Sequence, residues 1–379
     1  MPKDLSRLIK RIQKDLKGAA RVSNLADVKT PFHIKRPTGI LSMDIALKGG
    51  FTAGGVHQIH GPDGVGKDYL TNLMMAENQR LYGEDSCIFW MSFGYQPDRT
   101  FMRFSGVDVA YTDNDLISLG YPPDGLEDIA EGIRGINTGN LLFVDLDPEV
   151  VLDKPAETML DVILQFIGSN EFQLGIVNEL GSGQTRHNVV KQLGEDPRIA
   201  SWAGLMTQFL QKMYTEIRVP QDNGDPNETT IMMLNPVRAN LNAMSAKFRP
   251  TVQGGGFALK HAKATDVHLR PLGAIRKGTN QVGKKIGWKI AKGKHGISEG
   301  ANGMYEFLFD GGVDLVLDLA NVAKAYKIVR NRGRHYYILD REEPISGGFE
   351  AVVPIIRESR QLQDEIRVAV MEAIRDGKA

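Results

Sequence analysis

Cysteine is all but missing from this chain: Cys87 is the only one in 379 residues, and it lies inside an apolar, strand-like run. That excludes a disulfide scaffold and a cysteine-built zinc site, and it fits a reducing compartment. Net charge is missing too, because 46 Lys and Arg balance 46 Asp and Glu. No global field draws the chain to a polyanion, so any nucleic-acid affinity must come from local basic patches. No apolar run reaches the length of a membrane span. The start, Pro2-Lys3-Asp4, opens no apolar segment of the signal-peptide kind. Internal repeats and low-complexity tracts are absent. These absences lead us to expect a soluble, intracellular protein with no membrane partner.

What is present is concentrated in one octapeptide, Gly61-Pro62-Asp63-Gly64-Val65-Gly66-Lys67-Asp68. It has the GxxxxGK spacing of a phosphate-binding loop, between an apolar run (Val56 to Ile59) and a helical pattern (Tyr69 to Arg80). Strand, loop and helix in that order are the context the motif requires. The glycines let backbone N–H groups turn inward around an anion, and the helix start adds its partial positive charge. The expected nucleotide-side positions are Gly61, Asp63, Gly64, Val65, Gly66, Lys67, Asp68 and Tyr69. The motif breaks at its last position. Asp68 stands where a Ser or Thr hydroxyl would bind a divalent cation.

At this length the chain holds one large core plus smaller appended pieces. Apolar residues at Leu5, Leu8, Ile9, Ile12 and Leu16 have helical spacing on a basic N-terminal segment. A polar stretch from Val22 to Pro37 reads as a linker. Strand and helix patterns then alternate. Strands are expected at Val56–His60, Cys87–Met91, Leu141–Asp145, Phe172–Val177, Thr230–Leu234 and Asp266–Leu269. Helices are expected at Tyr69–Leu81, Pro97–Ser105, Ala156–Ile167 and Ala203–Ile217. Such alternation argues for an α/β fold, a mostly parallel sheet flanked by helices. After Asp310-Gly311-Gly312 the pattern turns helical and ends in an amphipathic stretch whose stripe is Leu362, Ile366, Val370 and Ile374.

Several blocks resemble the RecA recombinase family, most closely its phage UvsX branch. Thr38-Gly39-Ile40-Leu41-Ser42-Met43-Asp44-Ile45-Ala46-Leu47 is similar to the family's lead-in to the phosphate loop. Cys87-Ile88-Phe89-Trp90 is followed by Ser105-Gly106-Val107-Asp108 at similar spacing. Thr251 to Lys260, with Gly254, Gly255 and Gly256, resembles the glycine-rich segment after the second DNA loop. Phe309-Asp310-Gly311-Gly312-Val313-Asp314 resembles the end of the core. The resemblance implies a RecA-type P-loop core over residues 36–312, preceded by an oligomerisation helix and linker (1–35) and followed by a small C-terminal α/β domain (313–379). It further implies a helical homo-oligomeric filament on single-stranded DNA in recombination and repair. ATP and Mg²⁺ would lie between subunits, with a mediator or single-strand-binding protein as a further partner. The setting would be the cytoplasm of a bacterium or of a phage-infected host.

At four positions the chain departs from the pattern the resemblance implies. Phe93 stands where a glutamate would activate water, and Asn178 where an aspartate would close the metal-binding strand. Pro236 replaces a γ-phosphate-sensing glutamine, and Asp68 replaces the metal's hydroxyl. Each change removes a different part of the phosphoryl-transfer machinery, so hydrolysis is expected to be weak or absent. Two rescues stay open. Asp68 would serve as a carboxylate ligand for Mg²⁺, and Glu179 would stand in for the lost strand-end carboxylate.

By the same resemblance Lys292 and Lys294 would reach a neighbouring subunit's nucleotide, although Lys284, Lys285 and Lys289 make a solvated basic loop an equal reading. The stretch Pro236 to Gly256 carries Arg238, Lys247 and Arg249 with no acidic residue, which suits contact with a phosphate backbone. A first DNA loop, Gly181 to Pro197, offers Arg186 and Lys191 but also Glu195 and Asp196. The alternative to a working recombinase is a filament or scaffold protein on the same fold that has lost strand exchange.

Overall fold

The computed structural model describes residues 3–15, 26, 28–94, 96–124, 126, 140–145, 155–189, 199–220, 224–239, 251–254 and 256–377. The strands are β1 (Lys35–Arg36), β2 (Phe51–Thr52), β3 (Val56–Gly61), β4 (Cys87–Ser92), β5 (Asn140–Val144), β6 (Leu174–Asn178), β7 (Thr230–Ala239), β8 (Thr251–Gln253), β9 (Thr265–Lys277), β10 (Asn280–Gly293), β11 (Asn302–Leu308), β12 (Gly312–Val313), β13 (Val329–Arg332) and β14 (His335–Ile338). The α-helices are α1 (Lys3–Asp15), α2 (Leu41–Ala46), α3 (Lys67–Tyr82), α4 (Arg99–Phe104), α5 (Asp113–Ser118), α6 (Pro155–Ser169), α7 (Arg186–Val189), α8 (Ile199–Glu216), α9 (Gly256–Ala262), α10 (Leu315–Ala325), α11 (Val352–Glu358) and α12 (Arg360–Arg375). No helix among them is long and apolar enough to cross a membrane.

One large sheet runs in the order β12-β11-β10-β9-β3-β7-β6-β4-β5, with β8 paired to β7. From β9 to β5 the pairings are parallel. The inner strands β3 and β6 are buried at every position, as strands covered on both faces must be. Alternate residues feed two cores. Ile59, Ile88, Trp90, Ile176 and Leu234 join α3's Leu70 and Met74 on one face. Val56, Phe89, Met91, Val177 and Met233 join α6 and α8 on the other. Each such side chain, fully buried, contributes about 1.5–3 kcal/mol. Two filled faces make the strand ends a rigid platform.

The expected strands and helices are all present, most with ends moved by one to four residues. The unexpected element is an antiparallel wing. β9 runs on to Lys277, far past Leu269, turns through Gly278 and Thr279, and returns as β10, which pairs with β11. Its half-exposed strands carry lysines and glycines rather than a continuous apolar run. Beyond the wing, α10, α11, α12 and the hairpin β13–β14 enclose a separate apolar cluster. The C-terminal stripe Leu362, Ile366 and Val370 is at its centre, and Leu41 and Ile45 of α2 pack against it from outside. Asp314 and Ser359 cap α10 and α12 through their side chains. In α1, Leu8 stays 50% exposed.

Candidate functional site

The loop between β3 and α3 has the shape its glycines allow. Gly64 and Gly66 sit at φ 67° and 90°, in the left-handed region where a side chain would strain the backbone. Gly66 is the N-cap of α3, so the unbonded N–H groups of that helix's first turn face the loop with its partial positive charge. Lys67 is buried and folds back on the loop. Its Nζ donates to the carbonyls of Gly61 and Pro62 at 3.2 and 3.1 Å. Exposed Asp63 lies 3.7 Å from the same ammonium. Asp68 is half-buried one residue on, and the Thr71 hydroxyl donates to its carbonyl at 2.9 Å. The Tyr69 side chain is committed elsewhere. Its ring meets Phe307 edge-on at 4.8 Å, and its hydroxyl accepts from the Val313 amide at 3.2 Å. What Tyr69 offers an anion is its backbone N–H.

The substituted positions cluster where the strands end. Register pairs Ser92 with Asn178 across β4 and β6, and Gly61 with Pro236 across β3 and β7. Phe93 follows β4 directly, donates its N–H to the Asn178 carbonyl at 3.2 Å, and packs edge-to-face on Trp202 of α8. Asn178 is 2% exposed. Its Oδ1 accepts from the Glu179 amide at 2.8 Å, while its Nδ2 has no hydrogen-bond partner among the described residues. Glu179 adopts φ 51°, a left-handed conformation, and its carboxylate fills the space that a side chain at position 94 would need. Pro236 brings no N–H to the loop. The loop therefore has the shape of an anion cradle, and the polar side chains beside it include the Asn178 amide and the Asp68 carboxylate.

The glycine-rich segment is tied to this platform. Buried Asn235 donates Nδ2 to the Gly254 carbonyl at 2.8 Å and accepts from the Gly254 amide at 3.2 Å. Between the two, the backbone of Arg238 pairs with Val252. The side chain of Arg238, and Lys247, Arg249 and Gly255 entirely, lie outside the described residues, as does Lys191. Gly256 opens α9 at φ 67°. Arg186 is exposed, and its amide donates to Glu157 at 3.1 Å.

The lysine pair at the end of β10 caps α9. Lys292 donates to the carbonyls of Lys260 and His261 at 2.7 and 3.1 Å, and Lys294 to that of His261 at 3.5 Å. Burial, and then the neighbouring Lys294 charge, hold Lys292 below the ordinary lysine range. Both ammonium groups thus rest on the helix that follows the glycine-rich segment, within one subunit.

Three further features escape sequence reasoning. Lys284 of β10 reaches across to donate to the Gly64 carbonyl; only the wing's fold brings it there. Phe257 on α9 is 76% exposed with the Lys260 ammonium 5.8 Å from its ring centre. Behind the loop, His60 is 2.7 Å from Asp266 and stacks on His268 at 4.6 Å, while Lys263 donates to Asp266 at 2.5 Å. Burial pushes the Asp266 carboxyl up, but the His60 and Lys263 contacts outweigh it and hold the carboxyl below its ordinary value.

Comparison with known proteins fits this geometry. The model of the RecA N-terminal domain matches residues 134–314, a span that begins downstream of the phosphate loop. The chain is 25% identical to "Protein RecA" of Francisella philomiragia over 98% of its own length and 89% of that protein. It is 23% identical to "Protein RecA" of Prochlorococcus marinus strain MIT 9303, over 99% and 85%. With a phosphate loop at the head of a mostly parallel, helix-flanked sheet, the chain is similar to the RecA family along nearly its whole length.

Proposed function

We propose that this protein assembles head to tail on single-stranded DNA as a helical filament in recombination and repair. It would bind a nucleotide at the β3–α3 loop and hydrolyse ATP weakly or not at all. The observation that carries this reading is the register of β3 against β7. Gly61 lies beside Pro236, so the acid-free cationic stretch 236–256 begins next to the phosphate loop. Asn235 and Gly254 close its base. Arg238, Lys247 and Arg249, with Gly254, Gly255 and Gly256, would contact the DNA backbone, and Arg186 and Lys191 would assist from the first loop. The half-exposed Leu8 stripe of α1 would pack on a neighbouring subunit; Lys292 and Lys294 would reach that neighbour's nucleotide only by leaving their seat on the α9 carbonyls.

The cradle fits the phosphates of ATP; the donor set does not fit Mg²⁺ in the family's usual manner. Asp68 as a carboxylate ligand with Glu179 as its partner is the competing arrangement. Packing of Phe93 on Trp202 favours the reading without turnover, and with it the alternative that the protein is a filament scaffold without strand exchange. We further propose the 1–35, 36–312 and 313–379 division, a place near the UvsX branch, a cytoplasmic setting in a bacterium or phage-infected cell, and loading by a mediator or single-strand-binding protein.

The test is assembly on a fluorescent single-stranded oligonucleotide, followed by anisotropy and electron microscopy. Salt-sensitive binding with helical polymers is the expected outcome. A strictly monomeric protein at tens of micromolar, with DNA and nucleotide present, would falsify it.

A further inference from the structure

We propose that Lys284 is a second phosphate-facing cation of the loop, and that it lets this protein hold a nucleoside diphosphate as the free anion, without a divalent metal. The inference rests on the nucleotide-binding reading above and adds to it the form of the ligand and the residue that selects it.

Three observations carry it. The Lys284 ammonium is already at the loop, donating to the Gly64 carbonyl, although it comes from a strand 220 residues away in sequence. Its position is built rather than incidental. Lys284 pairs with Ala274 on one side and Phe307 on the other, and its ammonium lies 5.9 and 5.8 Å from the ring centres of Phe307 and Phe309. Those aromatic faces favour a cation at that spot. Lastly, charge around the loop is arranged for this role. Lys67 faces Asp63 at 3.7 Å, and Asp68 adds a second carboxylate where the family has a neutral hydroxyl. A divalent cation normally supplies the positive charge that a diphosphate requires. With Asn178 in place of the strand-end aspartate, that cation has lost two ordinary donors. Lys284 brings a positive charge to the Gly64 end of the loop, with a group that needs no metal.

Binding of ADP to the full-length protein, followed by isothermal titration calorimetry in EDTA and again in excess Mg²⁺, tests this. The unmodified protein is expected to bind ADP in EDTA within about threefold of its Mg²⁺ affinity. Lys284→Ala is expected to weaken binding in EDTA tenfold or more and by a smaller factor in Mg²⁺, while Lys284→Arg keeps most of it. Melting temperatures of the nucleotide-free variants check that the wing is intact. ADP binding that vanishes in EDTA and returns with Mg²⁺ would overturn the inference in favour of Asp68 as a metal ligand, and leave the nucleotide reading standing. An equal loss for Lys284→Ala in both conditions would reduce Lys284 to a prop for the loop and also overturn it. If neither condition gives binding that Lys67→Ala abolishes, the nucleotide reading itself falls.

Discussion

Phe93 and Trp202 meet edge to face, with ring centres 5.4 Å apart and planes at 80°. The residue that follows β4, where the family's pattern calls for a water-activating glutamate, is instead part of the apolar cluster under α8. Its replacement is therefore a packing commitment as well as a lost carboxylate. Phe93→Glu is expected to lower stability by about 1–3 kcal/mol, from the broken aromatic pair and a partly buried charge. It should leave ATP turnover unchanged. Urea unfolding and a phosphate-release assay check both halves; a stable variant with DNA-stimulated turnover would contradict the account.

A pH dependence follows from Asp44, in the block leading to the phosphate loop. Burial pushes its carboxyl up to about 7, even though the Thr38 amide and hydroxyl donate to it at 2.7 and 2.8 Å. The unfolded carboxyl ionises near the ordinary aspartate value of 3.8. The folded state keeps a proton that the unfolded state gives up, so this group's contribution is fully present below about 4 and is lost as pH rises through 7. Asp44→Asn should flatten that slope and gain on the order of 2–4 kcal/mol relative to the parent at pH 8. Equal slopes for parent and variant between pH 4 and 8 would show that the site is not burdened by its charge.

Asn235 closes the base of the DNA segment through both of its polar atoms. Asn235→Ala would leave the Gly254 amide and carbonyl without those partners, at a cost of roughly 1–3 kcal/mol. Single-strand affinity is expected to fall several-fold as the segment's anchor loosens, with little change in salt slope because no cation is removed. An anisotropy titration at two salt concentrations reads both quantities, and unaltered affinity would mean that the clasp has no part in DNA binding.

The cations themselves should behave differently. Replacing Arg238, Lys247 and Arg249 together is expected to weaken binding at every sequence. The slope of log affinity against log salt should become shallower by about 2, given roughly 0.7 per single-strand phosphate contact. A triple variant with the parent's slope would put the DNA elsewhere.

How much of this could be read from the chain follows from burial. β3, β4 and β6 are covered on both faces, so their apolar runs announce them. The loop announces itself through glycines that positive φ requires. The wing gave no such signal: β9 is buried only near its start and exposed over most of its length from Arg270 on, β10 is buried chiefly from Ile286 to Trp288, and their sign was the two-residue loop Gly278-Thr279, a hairpin cue among scattered lysines. Lys284 could not be assigned before that hairpin was known, because its approach to Gly64 depends on a strand pairing. For the same reason Lys292 and Lys294 read as a loop or a trans contact, and their seat on the last carbonyls of α9 was hidden. Phe93, Asn178 and Pro236 were legible as departures, but the packing on Trp202 that makes one of them structural was not.

The central claim is a phosphate cradle kept without its hydrolytic machinery. The most direct measurement is steady-state ATP hydrolysis by the purified protein, with and without single-stranded DNA, alongside Lys67→Ala. A missing general base alone typically costs 10²–10⁴ in rate, and parts that act as a unit are not restored singly. The expected result is turnover at least about 10²-fold below that of an active recombinase run in parallel, not stimulated by DNA, and not recovered by Asp68→Thr. DNA-stimulated turnover at the active enzyme's level, abolished by Lys67→Ala, would contradict the account and make Asp68 and Glu179 a working metal site.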